Sequence, residues 1–252
     1  MLRLRNNFQM QGAQASAAED AGGAGEMNLL ILGRGKTGAL VAEIAKGRRH
    51  RLSVLSGHEN PGGSALTAER LRDVDLVIDF TTPAAVLGNV EACLDAKKSM
   101  VVGTTGWHGE VGSVRSAVEK AGTGFLYGAN FSVGVNLFFE VVRASAEAAR
   151  HGYLGQIFER HHQHKKDAPS GTAVVLRKII QENGGAELEI TSFREGDVVG
   201  MHEVTFDSPA DRIYLCHDAK SRRGYAEGAV LAAEWLGTKK GFFEFKDIWR
   251  EL

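Results

Sequence analysis

The sequence predicts an α/β protein in two parts, the first built on a parallel sheet and the second on a mainly antiparallel sheet. Short apolar runs alternate with helical segments as far as residue 130, which is typical of parallel strands joined by helices. Three strand-like runs then follow one another between residues 187 and 219, which is typical of antiparallel sheets. The 252 residues are enough for two small domains.

The composition excludes several classes of protein. Hydrophobic residues make up 43% of the chain and charged residues 24%, as in ordinary globular proteins, and the formal net charge is -1. Proteins that bind nucleic acid or acidic lipid are usually more basic, so neither nucleic acid nor a membrane is predicted as a partner. No run approaches the roughly 20 apolar residues of a membrane helix. Cys93 and Cys216 fit a reducing compartment, so a cytoplasmic location is expected.

Residues 1–26 differ from the rest of the chain. They are rich in Ala, Gly and Gln and have no periodic apolar residues. The early arginines are not followed by an apolar stretch, so they do not begin a secretory signal, and Glu19, Asp20 and Glu26 argue against a transit peptide. We expect a disordered tail, or an upstream start with Met27 as the real beginning, and exclude this segment from the predicted fold.

The first predicted strand, NLLIL at residues 28–32, runs into GRGKTG and then into a helical segment. Gly33-x-Gly35-x-x-Gly38 between a strand and a helix is the Rossmann fingerprint of a dinucleotide site. Gly33 allows the tight turn, Gly35 lets the backbone approach a pyrophosphate, and Gly38 lets the helix pack against the strand. The start of the helix offers free N–H groups to the anion. Taken alone, a glycine turn without a ligand explains the motif equally well.

Four more strands are predicted after the glycine loop, and small polar residues or glycines follow three of them. The strands are RLSVL, DLVIDF, SMVVG and GFLY, beginning at residues 51, 75, 99 and 124, and a helix is predicted over residues 83–97. The small residues lie in DFTTP (79–83), GTTG (103–106) and GANFSVG (128–134). Ligands of parallel sheets bind beyond the carboxyl ends of the strands. Three such ends in succession favour a nucleotide site with room for a flat ring.

The choice between NADH and NADPH stays open. An acidic residue usually follows the second strand and binds the ribose of adenosine. Glu59 lies near the expected spacing but several residues beyond the strand, and His58 could meet a 2′-phosphate. Both are better explained as solvated loop residues than as ligands.

The second half begins with an amphipathic helix predicted over residues 131–152 and closed by Gly152. The strand YLGQIFER follows, and Ser170 is predicted to cap a helix over residues 171–185. The remaining elements are an antiparallel meander and a last helix, at residues 187–193, 202–208, 212–219 and 224–241. A cleft between two such domains would place the loop before Ser170 opposite the cofactor loops.

This loop concentrates proton-donating and cationic side chains. Its sequence, HHQHKKDAPSGT, holds His161, His162, His164, Lys165 and Lys166, followed by Ser170, Gly171 and Thr172 at the helix start. Free N–H groups, hydroxyls and cations form a second anion site, so we expect an anionic substrate such as a carboxylate. Histidine and lysine can also supply a proton.

Three further hypotheses for the loop compete with the anion site. A metal site is disfavoured because the lysines repel a cation and no second His or Cys cluster supports it, so no metal is predicted. A nucleic-acid patch is disfavoured by the net charge and by the lack of interleaved aromatic residues. A solvated basic loop also fits the spacing, although it would not need the Pro-Ser-Gly-Thr helix start.

Several stretches together resemble one family. They are DFT, VVGTTG, NFSVGVN, ERHHQHKKDAPSGTA, REGDVVGMHEV and GAVLAAEWL, in order between about Met27 and Leu252. Through them, and above all through the histidine-rich stretch, the chain resembles the 4-hydroxy-tetrahydrodipicolinate reductase (dihydrodipicolinate reductase) family. The resemblance implies reduction of 4-hydroxy-tetrahydrodipicolinate to tetrahydrodipicolinate with NADH or NADPH, on the diaminopimelate route to lysine. It also implies a homotetramer assembled through the sheet of the second domain.

The resemblance further implies roles for particular residues. His161 and Lys165 are the expected catalytic residues, and either could deliver the proton that accompanies the hydride. The expected substrate-binding residues are His162, Ser170, Gly171 and Thr172. The expected cofactor contacts are Gly33, Arg34, Gly35, Lys36, Thr37, Gly38, Phe80, Thr81, Gly103, Thr104, Thr105, Gly128, Ala129, Asn130 and Phe131.

The last helix and tail of the family usually return to the nucleotide domain. We therefore predict a dinucleotide-binding domain from residues 27–130 and 227–252, and a substrate-binding and oligomerisation domain from residues 131–226. The chain departs from the family pattern in a glycine loop one residue shorter and in lacking an acid-plus-arginine pair after the second strand. Two alternatives stay open: another NAD(P)-dependent reductase of a small dicarboxylate, such as an amino-acid dehydrogenase, and a nucleotide-sensing regulatory protein without the chemistry.

Overall fold

The computed structural model describes residues 25–185 and 187–252. The predicted disordered tail lies almost entirely outside these residues. Within them the chain forms a six-stranded parallel sheet and a four-stranded mixed sheet, each packed against helices. The predicted fold class, an α/β protein with a Rossmann-type parallel sheet and a second, mainly antiparallel sheet, is confirmed.

Ten strands and eight α-helices lie in the described part of the chain. The strands are β1 (Asn28–Leu32), β2 (Arg51–Leu55), β3 (Leu76–Asp79), β4 (Ser99–Val102), β5 (Gly124–Tyr127), β6 (Leu154–His161), β7 (Ile190–Arg194), β8 (Met201–Asp207), β9 (Arg212–Asp218) and β10 (Gly241–Glu244). The helices are α1 (Lys36–Gly47), α2 (Ala68–Leu71), α3 (Pro83–Asp95), α4 (Val111–Ala121), α5 (Val133–Ser145), α6 (Gly171–Gly184), α7 (Arg223–Leu236) and α8 (Phe245–Ile248).

The first sheet has the strand order β10-β5-β4-β3-β1-β2, and all neighbouring strands run parallel. Its first five strands match the predicted ones to within one residue at each end. The sixth, β10, is absent from the prediction because four residues, GFFE, are too few to show a strand pattern. It pairs with β5, so the C-terminal segment completes the sheet.

The parallel strands are buried on both faces, as their continuous apolar sequences require. Leu29, Leu30, Ile31 and Leu32 of β1 are at most 1% exposed. Helices α1 and α7 cover one face of the sheet, and α3 and α4 cover the other. This arrangement brings the carboxyl ends of the strands, and the loops that follow them, to a single edge.

The second sheet has the order β7-β6-β8-β9. Strand β8 is antiparallel to both β6 and β9, but β7 lies on the far side of β6 and runs parallel to it. The predicted meander is therefore wrong for β7. Helix α6 carries the chain from the end of β6 back to its beginning, so the next strand must run parallel to β6.

The helix predicted over residues 131–152 is divided in two. Helix α5 ends at Ser145, and a 3₁₀ helix over Ala146–His151 continues to Gly152, whose φ of 83° ends it. Helix α6 packs closely against this segment, since a Cβ on Gly184 would lie 2.3 Å from the carbonyl oxygen of Ala146. The tighter turns therefore coincide with a close approach of two backbones.

The C-terminal elements pack with the first sheet. Helix α7 lies against α1, where Arg48 and His50 contact the Glu234 carboxylate at 2.6 and 2.8 Å. This helix ends at Leu236 rather than at the predicted residue 241, because Gly237 follows with a positive φ of 34°.

The domain boundaries themselves stay a prediction. Across the described ranges, no helix combines the length and apolarity needed to cross a membrane.

Candidate active site

The glycine loop packs tightly at two glycines and leaves room at the third. Gly33 has a φ of 105°, and a Cβ there would lie 2.1 Å from the carbonyl oxygen of Phe80. A Cβ on Gly38 would lie 2.2 Å from the carbonyl oxygen of Gly33. At Gly35, by contrast, no atom lies within 4 Å of the Cβ position. The open position is the one where a pyrophosphate needs access to the first N–H groups of α1.

A buried carboxylate ties together the loops after β3 and β4. Asp79 is 0% exposed and accepts hydrogen bonds from the Thr81 N–H at 2.9 Å, the Thr81 hydroxyl at 2.7 Å and the Thr104 hydroxyl at 2.8 Å. Asn89 of α3 donates to its other oxygen at 2.7 Å. These donors satisfy the buried carboxylate and hold two predicted cofactor residues on neighbouring strand ends.

The loop after β5 is held against the C-terminal helices. A Cβ on Gly228 of α7 would lie 1.8 Å from the carbonyl oxygen of Phe131, and one on Gly128 would lie 2.9 Å from Cβ of Phe245. The Phe131 ring centroid lies 4.7 Å from that of Phe245 and 6.2 Å from that of Phe80. The position of this predicted contact loop therefore depends on a helical glycine almost a hundred residues away in the sequence.

In the loop after β2, the side chain of Glu59 turns back onto the chain. Its Oε2 accepts hydrogen bonds from the N–H and the hydroxyl of Ser56, both at 2.7 Å, and lies 3.6 Å from Nη2 of Arg34. The hydroxyl of Ser56 and then its N–H lower the pKa of the Glu59 carboxyl. Oε1 takes no part in these contacts. A charged carboxylate is therefore held near the position where an adenosine ribose lies in Rossmann folds.

A cleft of about 300 Å³ opens among these loops. Apart from Pro83, its lining consists of predicted cofactor contacts, namely Gly35, Lys36, Thr37, Gly38, Phe80, Thr81, Gly103, Thr104 and Thr105. A larger groove of about 540 Å³ lies between α3 and α4 and contains none of the predicted site residues. The smaller cleft, with its glycines, hydroxyls and free N–H groups, fits the phosphates and the flat ring of a nicotinamide nucleotide.

The histidine-rich loop connects β6 with α6. His161, the last residue of β6, is 7% exposed. Ser170 caps α6, since its hydroxyl accepts a hydrogen bond from the Ala173 N–H at 3.2 Å. The same hydroxyl lies 3.1 Å from Nε2 of His202 on β8. The predicted cap is therefore present, and it sits beside a second buried histidine that the prediction did not include.

Glu159, two residues before His161, lies at the centre of a buried polar cluster. It is 1% exposed, and its Oε1 accepts hydrogen bonds from the Ser170 N–H at 3.0 Å, the Ser192 hydroxyl at 2.6 Å and Nη2 of Arg194 at 2.8 Å. Its Oε2 lies 3.1 Å from Nδ1 of His161. One carboxylate thus joins β6, β7 and the start of α6.

The cluster shifts the pKa values of His161, His202 and Glu159. Burial lowers the pKa of His161 to about 4, with Glu159 opposing this shift and Lys165 adding to it. Burial likewise lowers the pKa of His202 to about 3. Burial alone would raise the pKa of Glu159, but hydrogen bonds from Ser170, Ser192 and Arg194 outweigh it and bring the pKa to about 2. Near pH 7, the carboxylate is charged and both imidazoles are neutral.

Lys165 lies at the outer edge of this cluster. Its ammonium donates to both carboxylate oxygens of Asp167, at 2.7 and 2.8 Å, and its side chain is 24% exposed. Arg194 donates to the carbonyl oxygen of Asp167 as well as to Glu159. The outer loop is therefore anchored to the buried carboxylate through one guanidinium.

The histidine-rich loop lies within electrostatic range of the start of α1. Desolvation and then the positive charges of Arg222 and Lys36 lower the pKa of His162. Lys36 is the first residue of α1, so its charge acts on the loop from the other site. The two predicted anion sites thus lie within electrostatic range of each other.

Two family models match the chain along most of its length. The model for the N-terminus of dihydrodipicolinate reductase matches residues 27–131, and the model for its C-terminus matches residues 134–249. The chain belongs to the dihydrodipicolinate reductase family. It is therefore an oxidoreductase with a Rossmann-type domain that uses a pyridine nucleotide.

Other members of the family agree in sequence and fold. A 4-hydroxy-tetrahydrodipicolinate reductase of Christiangramia forsetii is 36% identical over 240 residues, which cover 90% of this chain and 99% of the relative. One of Laribacter hongkongensis is 38% identical over 200 residues, covering 71% and 74%. The solved dipicolinate-bound dihydrodipicolinate reductase from Paenisporosarcina sp. TG-14 has a TM-score of 0.71 at 22% identity, covering 88% of this chain and 99% of that chain.

The structure of this dihydrodipicolinate reductase family member groups the predicted residues in two places. Nine of the fifteen predicted cofactor contacts line the small cleft, whereas Gly33, Arg34 and residues 128–131 are not part of its lining. The predicted substrate and catalytic residues lie along the loop before α6 and at its start. Several residues that support these sites were not predicted as site residues, namely Asp79, Glu159, Ser192, Arg194, His202 and Gly228. Most of them fall in the stretches DFT, ERHH, REGDVVGMHEV and GAVLAAEWL, but only tertiary contacts show what they do.

Proposed function

We propose that this enzyme reduces 4-hydroxy-tetrahydrodipicolinate to tetrahydrodipicolinate, on the diaminopimelate route to lysine, with a reduced nicotinamide nucleotide. The observation that carries the proposal is the pair of anion sites, one in the cleft at the glycine loop and one at the start of α6 beside His161 and Lys165, within electrostatic range of each other. The relative from Christiangramia forsetii, named for this activity, is matched over 99% of its length.

The start of α6 is suited to a carboxylate of the substrate. The N–H groups of Gly171 and Thr172 are among the first in a 14-residue helix, so they have no partner within it. No atom lies within 4 Å of the Cβ position of Gly171, so an anion can approach this turn closely. We assign Ser170, Gly171 and Thr172 to one carboxylate of the substrate and His162 to another polar group.

The cofactor would be held along the cleft between the glycine loop and the strand ends. The first N–H groups of α1 would bind its pyrophosphate, and the pocket of Phe80, Thr81 and Thr104 would receive its ring. When bound, the reduced nicotinamide supplies the hydride. Loss of the 4-hydroxyl as water gives the unsaturated ring that accepts the hydride, and a side chain of the protein must supply the accompanying proton.

Lys165 is better placed than His161 to donate the proton. With a pKa of about 4, His161 is neutral near pH 7 and carries no acidic imidazolium proton. Lys165 carries its charge on a long, flexible side chain, and its partner Asp167 is exposed. We infer that Lys165 turns from Asp167 towards the substrate and gives up its proton, while His161 hydrogen-bonds the substrate.

The direct test supplies the purified protein with enzymatically generated substrate and follows NADH and NADPH oxidation by absorbance. We expect oxidation that depends on the substrate. Nucleotide binding without substrate-dependent oxidation would favour a nucleotide sensor. Oxidation with another small dicarboxylate, but not with this substrate, would favour a different reductase.

We also propose that the enzyme prefers NADH, because Glu59 places a negative charge in the loop after β2. A 2′-phosphate near this carboxylate would be repelled, whereas ribose hydroxyls can donate to Oε1. In Glu59→Gln, the ratio of kcat/KM for NADPH to that for NADH should rise about threefold to tenfold, because the variant removes the repulsion and exposed charge contacts have effects of this size. Glu69→Gln, an exposed acid on α2, is the matched control. An unchanged ratio in Glu59→Gln would contradict the assignment.

We propose a homotetramer assembled through the face of the second sheet that is turned away from α5 and α6. This face carries Phe193 and Tyr214, which are 41% and 55% exposed, and such surfaces are often contacts between subunits. Light scattering measures the mass directly, and a monomer would contradict the proposal.

Cys93 and Cys216 are free thiols, which supports a reducing compartment such as the cytoplasm.

A further inference from the structure

Glu159 is 1% exposed and contacts His161, but it is not part of the open loop that follows β6. We propose that Glu159 is a positioning residue, which holds His161 in the tautomer with its proton on Nδ1 and at the same time fixes the cap of α6. The inference rests on the proposed function and adds a residue that acts through His161 and Ser170. Three features of the cluster carry it: the donors on one oxygen, the contact of the other, and the space beside the ring.

One oxygen of Glu159 is already fully used. Oε1 accepts hydrogen bonds from the Ser170 N–H, the Ser192 hydroxyl and Arg194, all within 3.0 Å. These donors come from the start of α6 and from β7, so the carboxylate cannot rotate without losing contacts to two elements. Its orientation, and therefore the direction of Oε2, is set by the fold.

The other oxygen makes a short contact with the catalytic histidine. Oε2 lies 3.1 Å from Nδ1 of His161 and 3.9 Å from Nε2 of His202, and only the first distance is within hydrogen-bond range. Among the described residues, neither Oε2 nor Nδ1 of His161 has an aligned hydrogen-bond partner. Both atoms are buried and need one. The two atoms lie 3.1 Å apart, so each is within hydrogen-bond distance of the other.

The charge states decide which atom carries the proton. A carboxylate only accepts hydrogen bonds, and a neutral imidazole has one N–H and one acceptor nitrogen. Glu159 is charged and His161 neutral near pH 7. The N–H must therefore sit on Nδ1, which leaves the lone pair of Nε2 free to accept a hydrogen bond.

The space beside the imidazole ring is narrow. A Cβ on Gly200 would lie 3.0 Å from Nε2 of His161, tighter than an ordinary contact. The ring of His202 stands edge-on to that of His161, with centroids 5.1 Å apart. Gly200 and His202 therefore confine the ring from two sides, while Glu159 sets its hydrogen bond.

A divalent cation is the competing occupant of this cluster. Glu159, His161 and His202 each offer a ligand atom, and these atoms lie within 4.8 Å of one another. The Arg194 guanidinium already holds the carboxylate, and Lys165 adds a second positive charge nearby. Dialysis against EDTA should therefore leave wild-type turnover unchanged. Loss of turnover that Zn²⁺ restores would overturn the proposal.

The tautomer is measured by ¹⁵N NMR of the histidine-labelled protein, with the His161 signals assigned from a His161→Gln sample. In the wild type we expect the proton on Nδ1. In Glu159→Gln, the amide oxygen can keep the bonds from Ser170 and Ser192, so its NH₂ group faces His161 and the proton should move to Nε2. A wild-type proton on Nε2, or an unchanged tautomer in the variant, would overturn the proposal.

Kinetics supply the second readout. In Glu159→Gln we expect kcat to fall about 10- to 100-fold, the loss known for groups that orient metal-bound histidines, with little change in the KM for the nucleotide. Glu195→Gln is the matched control, because its exposed side chain pairs with Arg160 while only its backbone N–H bonds to His161. It should keep wild-type turnover, and an equal loss in both variants would contradict a specific role.

The two readouts separate this inference from the proposed function. The tautomer of the wild type needs no substrate, so it can be measured even if the wild type fails to turn over tetrahydrodipicolinate precursors. The tautomer of His161 in the wild type also remains measurable if Glu159→Gln does not fold. An active wild type with its proton on Nε2 would leave the proposed function standing and remove only the role of Glu159.

Discussion

His161 and Lys165 are four positions apart in the chain, yet the fold gives them different surroundings. His161 is buried beside a carboxylate, and burial lowers its pKa to about 4. Lys165 lies at the rim and pairs with an exposed aspartate. The sequence motif contains both residues as possible proton donors. It cannot show which of them is protonated near pH 7, because that difference arises from burial.

The proton-donor assignment predicts a sharp contrast between two adjacent lysines. Lys165→Ala should lower kcat about 10²–10⁴-fold, the usual contribution of a general acid, while the far-UV circular dichroism stays unchanged. Lys166→Ala removes the same charge from the neighbouring exposed residue and should keep turnover within about threefold of the wild type. Near-normal kcat in a folded Lys165→Ala variant would remove Lys165 from this role.

Helix α7 shows how one element positions another. It packs so closely on the loop after β5 that a Cβ on Gly228 would lie 1.8 Å from the carbonyl oxygen of Phe131. Glycine in the middle of a helix normally costs about 0.5–1 kcal/mol relative to alanine, so its presence indicates a packing requirement. Here the requirement is the approach of a predicted cofactor loop.

Gly228→Ala should therefore damage both stability and cofactor binding. The added methyl group must push the loop of residues 128–131 away, and we expect a loss of about 1–3 kcal/mol in the free energy of unfolding, as in overpacked cores. The KM for NADH should rise as well. Urea denaturation and initial-rate kinetics measure the two effects.

The control for this variant is Gly112→Ala in α4, where no atom lies within 4 Å of the Cβ position. This variant should gain about 0.4–1 kcal/mol in the free energy of unfolding, because alanine restricts the unfolded chain. If both variants behaved alike, close packing at Gly228 would not be the cause.

For the whole molecule, the buried cluster around Glu159 makes stability depend on pH. The pKa values of His161 and His202 fall from an ordinary 6.5 to about 4 and about 3. Below pH 6.5 the unfolded chain binds protons that the folded protein excludes, so acid favours unfolding. The pKa of Glu159 falls from 4.5 to about 2, so its contribution is complete above 4.5 and is lost as the pH falls towards 2.

The free energy of unfolding should therefore decrease between about pH 7.5 and pH 5.5, with on the order of 1 kcal/mol from each buried histidine. His202→Asn should show a smaller decrease over the same range, whatever its stability at the higher pH. His151→Asn, at a site that is 70% exposed, is the control and should follow the wild type. Urea denaturation at the two pH values measures the difference, and equal slopes in all three proteins would contradict the assignment.

Local patterns along the chain were sufficient to predict the fold class, five of the six parallel strands, the helix capped by Ser170 and the family. These patterns are continuous apolar runs, glycine spacing and a rare polar stretch. The place of β7 in the meander, the unbroken helix over residues 131–152 and β10 were predicted wrongly or not at all. Each of these depends on neighbours in space, such as the return of α6 beside β6 or the pairing of a four-residue strand with β5.

The residues that hold the site in place could be identified only from the tertiary structure. Asp79, Glu159 and Gly228 carry no local signal of their roles, because a buried carboxylate or a helical glycine looks ordinary until its neighbours are known. Burial and hydrogen bonding set the charge of Glu159 and His161, and both are properties of packing across β6, β7 and α6. Local patterns name the reacting groups, whereas distances between remote segments determine their protonation and orientation.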